Sequence, residues 1–118
     1  MATYTVSEAS QMLGIPGSTI RFYDKQGLLP FLARSHSGVR MFTETDIARL
    51  RDILMLKNAG FSIREIARFV RLEDEGISSL SDRLDMLKQR SSEVEAEIAR
   101  LQGILTQLKQ KSLSYGIV

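Results

Sequence analysis

The chain has 118 residues, with 16 Lys and Arg against 14 Asp and Glu, a formal net charge of +2, one histidine and no cysteine. That length is one domain's worth, and the missing cysteine excludes disulfides, thiolate zinc sites, iron–sulfur clusters and cysteine nucleophiles. With no thiol, no histidine pair and no glycine-rich phosphate loop, neither an enzyme nor a bound cofactor is expected. No apolar run approaches a membrane span and no signal-peptide pattern opens the chain, so a cytoplasmic protein without a membrane partner is expected.

Helix starts are read from capping chemistry, in which a Ser or Thr precedes an acid by three residues at the head of an apolar-periodic run. Thr5 and Glu8 open a first helix over Val6–Leu13, closed by Gly14. Pro16 suits the first position of a second helix, which carries Ile20 and Tyr23 and stops at Gln26 before Gly27. Two short helices around Gly14-Ile15-Pro16-Gly17 fit a helix-turn-helix, whose second helix enters the DNA major groove. Pro30 and Gly38 then punctuate two short extended pieces, as expected of a β-hairpin wing laid along a phosphate backbone. From Lys25 to Phe42 the charges are Lys25, Arg34 and Arg40, with no acid. His36 reads as an exposed wing residue, and alone it does not build a histidine metal site within one subunit.

Thr43 and Asp46 open a third helix that uses Ile47, Leu50, Ile53 and Leu54 and ends at Gly60, and Ser62 and Glu65 open a fourth that uses Ile66, Phe69 and Val70. A fifth start is expected at Ser79 and Asp82. Beyond it the seam residues Leu80, Leu84, Leu87, Ser91, Val94, Ile98, Leu101, Leu105 and Leu108 alternate steps of four and three, the beat of a coiled coil, broken in character only by Ser91. Residues 1 to 72 carry ten Lys and Arg against six Asp and Glu, and residues 73 to 118 carry six against eight, so the head is basic and the rod acidic. The expected division is a DNA-binding domain over 1–75, a dimerisation helix over 76–112 and a short tail over 113–118.

The stretches Tyr4-Thr5-Val6-Ser7-Glu8, Thr19-Ile20-Arg21-Phe22-Tyr23-Asp24, Gly27-Leu28-Leu29-Pro30, Gly38-Val39-Arg40-Met41-Phe42 and Leu56-Lys57-Asn58-Ala59-Gly60-Phe61-Ser62-Ile63 resemble, in order, the motifs of the MerR family of transcription regulators. The resemblance covers about residues 3 to 72 in detail, with the rod matching the family's dimerisation helix in position. It implies a mainly α fold: a winged helix-turn-helix DNA-binding domain, a second helix pair, and a long helix forming an antiparallel coiled coil in a homodimer. It also implies double-stranded promoter DNA as partner, bound at an inverted repeat across a long spacer that is twisted and bent, with RNA polymerase at the same promoter.

Carried over by position, Thr19, Arg21 and Tyr23 fall on the groove-facing helix, with Arg21 placed for a base edge or a phosphate and Tyr23 either facing the groove or packed in the core. Arg34, Arg40 and Phe42 belong to the wing, and Lys57 with the amides of Ser62 and Ile63 holds a phosphate at the positive end of the fourth helix. Two departures bear on base specificity: Pro16, Gly17 and Ser18 are short where members begin this helix with bulkier or basic residues, and Phe22 stands where a tyrosine is frequent.

The inducing signal, the target promoter and the sign of regulation are not legible. Metal and redox sensors of the family use cysteines, which this chain lacks, and drug-sensing members add a domain where only about ten residues follow the last seam position. Some small members sense through a cysteine just before the Leu56-Lys57 pair; here that residue is Met55, which reads as packing. The alternative class is a coiled-coil adaptor with weak, non-specific nucleic-acid binding.

Overall fold

A computed structural model describes residues 2–32 and 41–116. In chain order these form strand β1 (Thr3–Tyr4), helices α1 (Val6–Leu13) and α2 (Gly17–Lys25), strand β2 (Phe42–Thr43), helices α3 (Glu44–Asn58) and α4 (Ile63–Asp74), a 3-10 turn (Gly76–Ser79) and the long helix α5 (Leu80–Ser114). The chain divides into two units, Met1–Leu80 and Ser81–Val118. The first is a helix-turn-helix followed by a second helix pair.

Three of the expected helix starts are reciprocal caps. The Thr5 hydroxyl accepts from the Glu8 amide at 3.1 Å while the Thr5 amide donates to Glu8 Oε1 at 2.9 Å. Thr43 and Asp46 repeat the arrangement at 3.1 and 2.9 Å, and Ser62 and Glu65 at 3.1 and 2.8 Å. In each, two first-turn amides that the helix leaves without a partner are satisfied by side chains. The start expected at Ser79 differs. Ser79 is buried, and its hydroxyl donates back to the carbonyls of Leu72 and Gly76, so it ties the turn to the end of α4.

Helix ends are set by glycines in the left-handed region. After α2 the Leu28 amide reaches the Tyr23 carbonyl at 3.0 Å across Gly27, whose φ is +79°. After α3 the Phe61 amide reaches the Leu56 carbonyl at 3.1 Å across Gly60, at +97°. These are the long-range bonds of a Schellman ending, and both bracket buried apolar pairs, Tyr23 with Leu28 and Leu56 with Phe61. The chain therefore turns into the core at each helix end.

The core of the first unit is built from Ala9, Ile20, Leu28, Phe42, Leu50, Ile53, Ile66 and Val70, each at most 2 % exposed. On α3 the inward face is Ile47, Leu50, Ile53 and Leu56; Leu54, read from the sequence as part of that face, is only half-buried. The next core position lies one turn beyond Ile53, at Leu56, whose burial is shared with Phe61. A two-residue strand at the chain start, not legible in the sequence, pairs antiparallel with β2, Tyr4 beside Phe42. Arg49 on α3 ties two distant segments: its guanidinium stacks 4.0 Å over the Phe31 ring and donates to Asp74 at 3.1 Å.

The caps generate a stability expectation. Thr43→Ala removes the hydroxyl acceptor and leaves the nearly buried Asp46 carboxylate with a disrupted box, so unfolding stability should fall by about 1 to 2 kcal/mol. Urea denaturation checks it, and an unchanged midpoint would show that this box contributes nothing.

Candidate nucleic-acid interface

The turn of the helix-turn-helix is closed by local chemistry. Gly14, at φ +67°, donates to the Ser10 carbonyl at 2.9 Å, and the Ser10 hydroxyl donates to the Ile15 carbonyl. A side-chain Cβ at Gly14 would meet no neighbour, so the positive φ, not crowding, is the reason for glycine there. Pro16 precedes α2 with φ −62° and extended ψ, which aims the helix away from α1.

Helix α2 has a clean division of faces. Ile20 and Tyr23 point inward at 0 and 6 % exposure, while Ser18, Arg21, Phe22 and Lys25 lie outward, on the period that gathers residues three and four apart. Of the three residues carried onto this helix from sequence, Arg21 is exposed and Thr19 half-buried. Tyr23 is core, its ring centroid 6.1 Å from that of Phe22, so of its two readings the packing one matches the structure. Arg21 folds back along its own helix: Nη1 lies 3.4 Å from the position a Cβ would take on Gly17. The short Gly17 thus makes room for the guanidinium beside the first turn, where it stands with Lys25 on one exposed, cationic face.

The wing residues Arg34, His36 and Arg40 lie outside the described residues. Phe42, carried over as a wing contact, is corrected: it is fully buried in β2 beside Tyr4 and has no surface to offer a phosphate. Alternation along a strand sends its side chain to the core side.

The corner between α3 and α4 forms the second basic region. Lys57 is exposed in the last turn of α3, and Phe61, 5 % exposed, anchors the loop below it. The Ser62 amide, expected to hold a phosphate, is already donated to Glu65, so the correction is that the cap occupies it. The amides of Ile63 and Arg64, at the first two helical positions, are the ones that intrahelical bonding leaves over. Sequence reasoning missed Arg64, Arg68 and Arg71, which are all exposed and sit four and three residues apart on the outward side of α4, opposite Ile66, Phe69 and Val70. The signal was present: cations at that spacing share one helix face.

Chemically, both regions offer guanidinium and ammonium donors on exposed helix faces. Among the described residues there is no cluster of three metal-ligating side chains, and no helix is long and apolar enough to cross a membrane.

Comparison with known proteins accounts for this arrangement. The family described as "MerR HTH family regulatory protein" matches residues 4–73, and that described as "MerR, DNA binding" matches residues 47–111. An uncharacterised HTH-type transcriptional regulator of Haemophilus influenzae is 37 % identical over 113 residues, which span 96 % of this chain and 84 % of that protein. Among solved structures, HiNmlR, a MerR family regulator lacking the sensor domain and bound to promoter DNA, is similar with a TM-score of 0.81 at 35 % identity, covering 98 % of this chain and 97 % of the other. A MerR family regulator of Bacillus thuringiensis gives 0.80 at 38 % identity, covering 97 % and 100 %. A helix-turn-helix with a cationic outer face, a second helix pair and a long C-terminal helix, matched by family over most of its length, makes this chain a transcriptional regulator of the MerR family.

Proposed function

We propose that the chain binds a promoter inverted repeat as a homodimer and regulates transcription by distorting the spacer DNA between the half-sites. The observation that carries this reading is the exposed Arg21 and Lys25 face of α2, set on a buried Ile20 and Tyr23, in a chain similar to a regulator bound to promoter DNA. Arg21 is the base-reading residue, with Thr19 beside it. Lys57, Arg64 and the first amides of α4 hold the phosphate backbone, and Arg34 and Arg40 complete that contact. RNA polymerase at the same promoter is the partner that responds, and the protein acts in the cytoplasm.

The homodimer part is supported by α5. Leu84, Val94, Ile98, Leu101, Leu105 and Leu108 are between 37 and 61 % exposed and keep the heptad spacing, which leaves a continuous apolar stripe for another helix. Spacer distortion is a shape-based mechanism. It asks nothing of a thiol or a metal, and the chain has no cysteine and one histidine.

Two expectations follow from this reading. Arg21→Ala should reduce affinity for the specific promoter duplex about 5- to 100-fold more than for random duplex, because a bidentate base contact discriminates by about 1 to 3 kcal/mol while a phosphate contact weakens all sequences alike. An equal loss on both duplexes, measured by fluorescence anisotropy, would move Arg21 to backbone positioning. Affinity should also fall when one or two base pairs are inserted in or deleted from the spacer, and should not respond to a chelator or a reductant. Indifference to spacer length, or loss of binding on chelation, would overturn the mechanism.

A further inference from the structure

Helix α2 carries one large apolar side chain on its outward face. Phe22 is 48 % exposed, while Ile20 and Tyr23 on the same helix are buried. An α-helix turns by about 100° per residue, so the outward residues follow the order Arg21, Lys25, Ser18 and Phe22 across about 100° of its surface. Arg21 and Phe22 are the two edges of that face, with Lys25 and Ser18 between them. A single exposed apolar residue is ordinary on a protein surface. Phe22 is set apart by its neighbours and by how its ring is held.

Its ring centroid lies 6.1 Å from that of Tyr23, with the two planes inclined at 52°. This is a tilted aromatic contact with a core residue, and it steadies the Phe22 ring in its outward position. The charges around it are cations: Asp24, the only acid of α2, lies off this face and is half-buried. A polyanion complements that face better than an acidic or neutral protein surface does. Gly17 and Ser18, one turn earlier, are short, so nothing bulky holds the second turn of the helix away from base edges.

The chemistry of the major groove leaves such a ring one match. Guanine, adenine and cytosine present hydrogen-bond donors and acceptors there, whereas thymine adds an apolar group, its C5 methyl. A phenyl ring has no donor for a phosphate and no polar atom for a base edge. Resting on the promoter-binding reading above, we propose that Phe22 is a specificity-determining residue that packs on the C5 methyl of one thymine in each half-site. A helix with its side chains is about 10 Å wide and successive base pairs are about 3.4 Å apart, so this thymine lies within about three base pairs of the base that Arg21 reads. The start of α2, short in polar side chains, thereby admits an apolar reader.

The test removes one methyl at a time. Deoxyuridine in place of thymidine deletes the C5 methyl and keeps every hydrogen-bonding group. A duplex carrying the promoter upstream of this chain's own gene is scanned with such replacements, singly and at matched positions of both half-sites, against the full-length wild type. Burying a methyl contributes about fourfold to binding, so one thymine position should cost about fourfold when replaced in one half-site and about 15-fold in both. Phe22→Ala should be indifferent to that replacement, Phe22→Leu should retain about a twofold effect, and Arg21→Ala should retain it in full. A wild type that prefers the promoter to random duplex yet loses less than about twofold at every thymine would overturn the assignment, as would a full methyl effect in Phe22→Ala. Weakened self-association of Phe22→Ala in sedimentation, with every thymine neutral, would place the ring against a protein surface instead. A wild type with no preference for the promoter over random duplex would overturn the promoter reading itself, and this assignment with it.

Discussion

A 35-residue helix none of whose residues is buried is the constraint on which the account turns. In water an isolated helix is held by propensity and a few surface pairs, and most helical stability in proteins comes from covering an apolar face. α5 carries such a face over most of its length, and it also carries Gly103 in its interior, a residue that costs about 1 kcal/mol relative to Ala in a helix. Its intrahelical ion pairs, Arg90 with Glu93 and Arg100 with Glu97, are surface pairs of small worth. In the proposed homodimer, burial against a second helix is the interaction large enough to hold it.

The first unit solves the opposite problem, that of a small core. It places its polar groups at the ends of helices: three reciprocal caps at starts, Schellman endings across Gly14, Gly27 and Gly60, and Ser79 turned back onto α4. These fix directions, so that few apolar side chains suffice to fill the space between. With inward positions committed to Ile20, Leu50, Ile53 and Ile66, the cations fall outward by helical geometry, Arg21 and Lys25 on α2 and Arg64, Arg68 and Arg71 on α4. The exposed cationic charge is a consequence of where the core is.

Features that depend on neighbours in sequence were legible from it. The caps at Thr5, Thr43 and Ser62 are three-residue patterns, and the exposed apolar stripe of α5 is a period, so both can be read without knowing the fold. What was not legible depends on contacts distant in sequence. The strand at Thr3–Tyr4 exists because β2 lies beside it, and Phe42 is buried for the same reason, against the expectation of an exposed wing residue. Ser79 has the pattern of a cap yet faces back to Leu72, seven residues earlier. The contacts of Arg49 with Phe31 and Asp74 span 18 and 25 residues, beyond the reach of any local pattern. The α4 arginines Arg64, Arg68 and Arg71 share an exposed face by spacing alone, a pattern that lies beyond the motif at the helix start.

The proposed function joins both units in one physical idea: a dimer of cationic helix-turn-helix heads that holds DNA in a shape the free duplex does not adopt. Deforming a site of promoter length costs on the order of 1 to 6 kcal/mol and is offset by the additional backbone contacts it permits. The direct measurement is end-to-end fluorescence energy transfer on a doubly labelled duplex carrying the promoter upstream of this chain's own gene, titrated with the full-length protein. The account predicts that transfer rises on binding, as bending brings the ends together, and saturates at two chains per duplex. A complex that saturates with transfer unchanged, or at one chain per duplex, would contradict it.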